Sequence, residues 1–328
     1  MAGPGEVSVR PAWLIYNPAA GRFPAGPLLD RAVRVLTEAG WEILIVRSQP
    51  GQSLAEPAAK AVQAGCEAVF VAGGDGSVGQ AASALAGTPV ALGVLPSGTA
   101  NVWAGEIGLP RLDWVHWFAL EEAAAQLARG TVRLVDIGEV NGKGFLLWAG
   151  VGLDAQIVGT IEPRERWEKT FGVLQYGIWA AWNARGWTGV DLRVSSGGEV
   201  WEDRFVVAVA SNIRSYAGGL LELAPWARLD DGLLDFWLIN GRSMRDAVIR
   251  AVQVLMGAHV DAPGVVHFQA SEAIFEAQGE LPMHLDGEPS SLLSPVRIVA
   301  RKQSLRVIVP EGGISLLACP PEEQHESS

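Results

Sequence analysis

The stretch VAGGDGSVGQA (residues 71–81) decides how this chain is read. A short apolar run, CEAVFVAG (66–73), enters it as a buried strand, and SVGQAASALAG (77–87) leaves it with helical character. Between them Gly74, Gly76 and Gly79 have the spacing G-x-G-x-x-G. In dinucleotide-binding folds that spacing is followed about 20 residues later by an acid that holds the ribose hydroxyls. Here the corresponding segment is TPVALGVLPSGTA (88–100), which contains no acid. Asp75 raises a second objection, because a carboxylate about 4 Å from a phosphate is repelled by roughly 4 kcal/mol at an effective dielectric near 20 unless a cation intervenes. Asp75 therefore fits a metal-nucleotide site better than a bare dinucleotide one. The plain alternative is that the glycines only make a tight strand-to-helix turn.

The same alternation extends on both sides. WLIYNP (13–18), WEILIVRS (41–48) and PVALGVLPSG (89–98) read as strands; LLDRAVRVLTEAG (28–40), with Gly40 as its stop, and AEPAAKAVQAG (55–65) read as helices. Strands alternating with helices predict a parallel sheet covered on both faces. Ligands of such sheets lie beyond the carboxyl ends of the strands, where NPAAG (17–21), GGDGS (73–77) and LPSGTAN (95–101) all fall. Their small residues and exposed amides suit a phosphate. No G-x-x-x-x-G-K-[ST] occurs, so a Walker-type loop is excluded.

From about Val132 the pattern becomes alternating strands separated by Asn-Gly, Ser-Gly-Gly, Asp-Gly and Gly-Gly turns, the mark of antiparallel pairing. Helical runs interrupt it near 163–185 and 243–258. The expected organisation is residues 1–130 as a nucleotide-binding α/β domain and 131–328 as a β-rich domain, with the last strands (about 303–318) packing back on the first. The tail PPEEQHESS is polar and frayed by expectation.

Composition narrows the class. With 49 % hydrophobic and 19 % charged residues over 328 positions, the chain has the makeup of an ordered globular protein rather than a disordered one. No apolar run reaches the roughly 18 residues of a membrane span, and the N-terminus has no secretory pattern. Cys66 and Cys319 lie far apart without histidines at ligand spacing, which fits a reducing cytoplasm and neither a disulfide framework nor a zinc site. A formal charge of −11 disfavours nucleic acid as a partner. The five histidines show no catalytic spacing.

NPAAG, GGDGS and LPSGTAN, followed in order by VDIG (135–138), GVGLDA (150–155), SNIRSYAGG (211–219), APWARLDDGLLD (224–235) and LDGE (285–288), resemble the diacylglycerol kinase catalytic domain family, which includes bacterial lipid kinases and the sphingosine and ceramide kinases. The resemblance covers nearly the whole chain. It implies an N-terminal parallel α/β domain of phosphofructokinase-like type, an antiparallel β-rich domain, and ATP in the cleft between them. The matching ATP contacts are Asn17, Pro18, Gly21, Ser48, Gly73, Gly74, Asp75, Gly76, Ser77, Gly98, Thr99 and Asn101; for Ser48, Ser77 and Thr99 a purely structural or capping role is the competing reading.

Phosphoryl transfer needs a base for the acceptor hydroxyl and positive charge for the phosphates. The resemblance implies Glu288 as the acid/base carboxylate, Asp136 as a supporting acid, and Asp75 as the group orienting the magnesium-phosphate ensemble. For Asp286-Gly287 the bland reading is an ordinary hairpin turn. A Mg2+ loop is implied at Asp231 with the carbonyls of Arg228 and Leu233, an all-oxygen set suited to a hard cation; Asp-Asp-Gly is also a common turn. Asp154 and Asn212 are candidates for the lipid substrate. One departure stands out: Val102 follows the Asn of GTAN, where many bacterial members carry Asp.

The implied activity is ATP- and Mg-dependent transfer to a hydroxyl of a diacylglycerol or related glycerolipid or sphingoid lipid, in the cytoplasm and peripherally at the inner membrane face. The alternatives are a small-molecule kinase of phosphofructokinase or NAD-kinase type and a nucleotide-binding regulatory protein without turnover. Trp167, Phe171, Leu174, Ile178 and Trp182 share one helical face of the 163–185 run, read as core or acyl-pocket lining in preference to bilayer insertion. The oligomeric state is open, with a homodimer one alternative.

Overall fold

A computed structural model describes residues 10–16, 25–49, 51–111, 116–153, 155, 188–311 and 316–317. Asn17, Pro18, Gly21, Asp154 and the 163–185 run lie outside the described residues.

Four parallel strands form the first domain's sheet: β1 (Arg10–Tyr16), β2 (Trp41–Arg47), β3 (Ala68–Gly73) and β4 (Ala91–Pro96), in the spatial order β2-β1-β3-β4. Every residue of β3 and β4 is buried, which is why both strands are near-continuous apolar runs instead of alternating ones. Helices α1 (Ala25–Glu38), α2 (Ala55–Gln63) and α3 (Asp75–Leu85) are the crossovers, α2 packing against α3. Gly40, at φ +92, turns the chain out of α1 into β2, a conformation open to glycine without strain. Two helices follow β4 that the sequence patterns do not announce: α4 (Val102–Glu106), one turn long, and α5 (Ala119–Ala128), which packs on α1.

The rest of the chain is mostly antiparallel. It contains β5 (Thr131–Val140), β6 (Lys143–Phe145), β7 (Trp148–Gly152), β8 (Val190–Ser196), β9 (Glu199–Ser211), the short pair β10 (Ser215–Tyr216) and β11 (Leu221–Glu222), and β12 (Leu234–Asn240). Helix α6 (Met244–Leu255) is capped by Ser243, whose hydroxyl accepts the Asp246 amide. The strands β13 (Val265–Ala270), β14 (Glu272–Glu276), β15 (Glu280–Leu285), β16 (Glu288–Leu293) and β17 (Val296–Val309) complete the order.

One sheet path runs through both regions. Strand β17 pairs antiparallel with β14 and β5 and then runs parallel to β4 at Arg306↔Ala91 and Val307↔Leu92. The late strand thus continues the sheet of the first domain. A second apolar core, built around Phe145, Val194, Phe236, Phe275 and Ile298, lies inside the β-rich part.

The feature that positions the site is contact across the two parts. Strand β6 lies on α3, with the Gly144 amide donating to Ser83 Oγ at 3.2 Å. Strand β7 pairs with β15, so the β15–β16 hairpin is carried to the same helix.

Candidate active site

Each glycine of the G-x-G-x-x-G run admits a different neighbour. Gly74 packs on Gly98, where a Cβ would overlap the Gly74 backbone, so the GGDGS and LPSGTAN loops touch main chain to main chain. At Gly76 a Cβ would lie 3.2 Å from Glu288 Oε1, and at Gly79 it would lie 2.5 Å from Asp286 Oδ2. The last two glycines therefore make room on α3 for two carboxylates of the second domain. The glycine pattern serves domain approach as well as the turn.

Helix α3 begins at Asp75, two residues before the position its sequence pattern suggests, with Gly74 as its extended N-cap. Val78 N–H is the first amide to find an intrahelical acceptor, the Gly74 carbonyl. Among the described residues the Gly76 and Ser77 amides have no backbone acceptor, as befits a helix start, where an anion is favoured. Asp75 turns its carboxylate to the start of α4, accepting from the Trp103 amide at 3.0 Å and from the Val102 amide. Burial raises its pKa, and those amides with the Arg111 charge oppose the rise.

The LPSGTAN loop is locked by Asn101. At φ +48 it closes a ring with Gly98, accepting from the Gly98 amide at 2.9 Å through Oδ1 and donating to the Gly98 carbonyl at 3.0 Å through Nδ2. Thr99 is exposed beside it. Ser77 packs under Gly73, where a Cβ would sit 2.7 Å from that of Ser77. Ser48 is buried, its hydroxyl 3.3 Å from the Tyr16 carbonyl and its amide donating to the same oxygen at 3.0 Å. Its side chain ties the ends of β1 and β2 together.

Asp286 and Gly287 form a two-residue hairpin turn with φ of +51 and +79. The turn also has a second role that the dipeptide does not reveal. Asp286 Oδ2 accepts the Leu146 amide at 2.8 Å, and Oδ1 accepts the Leu147 and Trp148 amides at 2.7 and 3.2 Å. Burial pushes its pKa up to about 6; the three amides oppose the rise and the neighbouring Asp75 adds to it. Next to it Glu288, the first residue of β16, accepts from Gln80 Nε2 at 2.8 Å. Gln80 is itself fixed by the Leu54 amide, which donates to its Oε1 at 2.9 Å.

Asp136 belongs to a separate acidic group. One of its oxygens accepts the Gly232 amide and the other the Gln303 amide. Its pKa is raised to about 6, by burial first, with Asp231 and Asp230 contributing. Asp231 is also raised by burial, and its Oδ1 accepts the Leu233 amide at 2.9 Å. Among the described residues no group of three or more His, Cys, Asp or Glu has the geometry of a metal site. Asn212 connects the two acidic groups: its Nδ2 donates to the Asp136 carbonyl at 3.1 Å and to the Leu146 carbonyl at 3.0 Å, and Leu146 N–H is one of the amides on Asp286. Buried Asn212 thus acts as a backbone clamp.

The structure brings Asp75, Asp286, Glu288 and Gln80 together around the start of α3, and Asp136, Asp230 and Asp231 together at the LDDG turn. Sequence reasoning missed Gln80, Arg111 and the role of Asp286. A polar side chain directly after the last glycine of the run was the available signal for Gln80; for Arg111 there was none. Val102 is buried, its amide spent on Asp75.

Comparisons with known proteins agree along the chain. Residues 11–140 match the diacylglycerol kinase catalytic domain, and residues 148–309 match the YegS C-terminal NAD kinase beta sandwich-like domain. A diacylglycerol kinase of Mycobacterium tuberculosis is 31 % identical over 306 residues, covering 91 % of this chain and 95 % of its own length. A Pseudomonas aeruginosa protein described as "Probable lipid kinase YegS-like" is 32 % identical over 295 residues, covering 89 % and 92 %. The crystal structure of a diacylglycerol kinase from Bacillus anthracis shares the fold, with a TM-score of 0.67 at 22 % identity over 93 % of this chain and 98 % of that one.

Proposed function

Because this chain belongs to the family of diacylglycerol kinases and YegS-like lipid kinases, we propose that it transfers the γ-phosphoryl group of ATP to the hydroxyl of a diacylglycerol or a related glycerolipid or sphingoid lipid. The observation that carries the reading is Glu288 on Gly76: a carboxylate from the second domain held against the start of the helix whose first-turn amides suit a phosphate.

ATP fits the loops by their chemistry. The Gly74–Gly98 contact holds the two loops together, and the Gly76 and Ser77 amides supply donors to phosphate oxygens. Bound there, ATP supplies the transferable phosphoryl group. Glu288 accepts the proton of the acceptor hydroxyl, and Gln80 fixes the direction of its carboxylate. Asp75 anchors the start of α4 and adds negative charge that a Mg2+ bound with the phosphates would offset. At the LDDG turn, Asp231 with the carbonyls of Arg228 and Leu233 would hold a second Mg2+, beside the buried Asp136. No helix among the described residues is long and apolar enough to cross a membrane. The support for peripheral contact with a lipid surface is the exposed stripe Val248, Val252 and Leu255 on α6, continued by Met256 at its C-cap, with Arg245 in its first turn and Arg242 just before its N-cap.

The test is a panel of acceptors in mixed micelles with γ-labelled ATP. Label is expected on diacylglycerol or a related lipid alcohol; label on sugars or NAD alone, or nucleotide binding without product from any acceptor, contradicts the reading.

A further inference from the structure

Arg111 lies in no motif, five residues beyond the end of α4 in the segment GLPRLD. Its guanidinium nevertheless has a defined seat. It rests on Gly105 so closely that a Cβ there would overlap Nη2, Cζ and Nε, so the missing side chain at 105 is what admits it. On the other side is Gly219, at φ +83 in the 3-10 turn (Ala217–Gly219) of the second domain, where a Cβ would lie 3.7 Å from Nη1 and 3.8 Å from Val102 Cγ2. The seam between α4 and that turn is closed nearby by Glu106, whose Oε1 accepts the Ser215 amide at 2.7 Å.

The head group that occupies this seam keeps its donors. Among the described residues Arg111 makes no hydrogen bond and no ion pair, although Asp75 is near enough for its carboxylate to feel the charge. Asp75 instead spends its oxygen on the α4 amides. A planar fork of donors bordered by two glycines, beside a carboxylate engaged elsewhere, is arranged for an anion that arrives from outside. Asp75 also opens the helix whose Gly76 and Ser77 amides have no backbone acceptor among the described residues, so the Arg111 charge reaches the residue next to those donors.

We propose that Arg111 binds the phosphates of the nucleotide, holding a phosphoryl oxygen across the seam between α4 and the 217–219 turn. The inference rests on the ATP reading above and adds a residue to it. Arg111 takes no proton and forms no bond; it positions the phosphate and offsets its charge. Gly105 is the complementary half of the device, since only a residue without a side chain leaves the seat vacant for the guanidinium.

ATP binding by isothermal titration separates this role from that of a mere strut between domains. R111A is expected to weaken ATP binding about tenfold or more, in line with loss of a charge-assisted hydrogen bond, with R111K partly restoring it. G105A keeps the charge but displaces it, and Ala is the better helix former. It is expected to weaken ATP as R111A does while its thermal unfolding temperature stays level or rises. The salt dependence of ATP affinity should be shallower in R111A than in the wild type. ATP affinity unchanged in both variants, or reduced only in proportion to lost thermal stability, overturns the inference alone. No ATP binding by the wild type overturns the nucleotide reading and this inference with it.

Discussion

Glu288 Oε1 accepts a 2.8 Å hydrogen bond from Gln80 Nε2 across 208 positions of sequence. The bond joins the first residue of β16 to the second turn of α3 and aims the carboxylate along the face where Gly76 has no side chain. Gln80 is a positioning residue in this arrangement. Q80A is expected to lower kcat about tenfold, the scale of a small misplacement of a reacting group, with KM for ATP little changed. Steady-state kinetics with ATP varied at saturating lipid check this; a change confined to KM would remove Gln80 from the positioning of Glu288.

Gly79 permits Asp286 to approach α3. In an ordinary helix interior, Gly→Ala is stabilising by about 1 kcal/mol. At 79 the new methyl would meet Asp286 Oδ2 at 2.5 Å, and overlap of that kind costs about 1–3 kcal/mol. G79A is therefore expected to lower the urea midpoint of unfolding. A raised midpoint would show that the hairpin moves aside freely.

Asp286 sets a pH dependence. Its folded pKa of about 6 stands above its ordinary value of 3.8, so between those values the native state holds a proton that the unfolded chain releases. Its contribution to stability is full below the lower value and is lost as pH rises through the upper one. The stability gap between the wild type and D286A should therefore widen as pH falls from about 7 to about 5. Urea titrations across that range check it, and a gap that narrows toward acid contradicts the assignment.

Much of this arrangement is legible in the sequence, and the exceptions have physical causes. The β3–α3 passage was readable because an all-buried strand is a run of apolar residues and a helix start needs glycine where backbones meet, as at Gly74 and Gly98. Helix α4 was not, since five residues make one turn and carry no periodicity. Asp286 read as a turn residue because Asp-Gly satisfies a hairpin on local grounds; its bonds to Leu146, Leu147 and Trp148 come from the β6–β7 connection and the first residue of β7, about 140 residues away, which no local pattern encodes. Asp136 carries the implied role of a supporting acid from the resemblance alone; that its oxygens accept the Gly232 and Gln303 amides follows from the return of β17 beside β5, which no local pattern encodes.

Asp231 tests the metal. A cation that binds the folded LDDG turn raises the unfolding temperature by mass action. Millimolar Mg2+ is expected to raise it for the wild type and not for D231N, read by differential scanning fluorimetry without nucleotide. Equal shifts in both proteins would place the ion elsewhere.

Transfer of labelled phosphate from ATP to diacylglycerol, compared between the wild type and E288Q, bears most directly on the carboxylate at the start of α3. Replacing it with an isosteric amide removes the base while leaving an oxygen that can still accept from Gln80. The expected result is transfer by the wild type and a loss of at least about 10²-fold in kcat for E288Q, at an unchanged unfolding temperature. Turnover of E288Q within a few-fold of the wild type would contradict it.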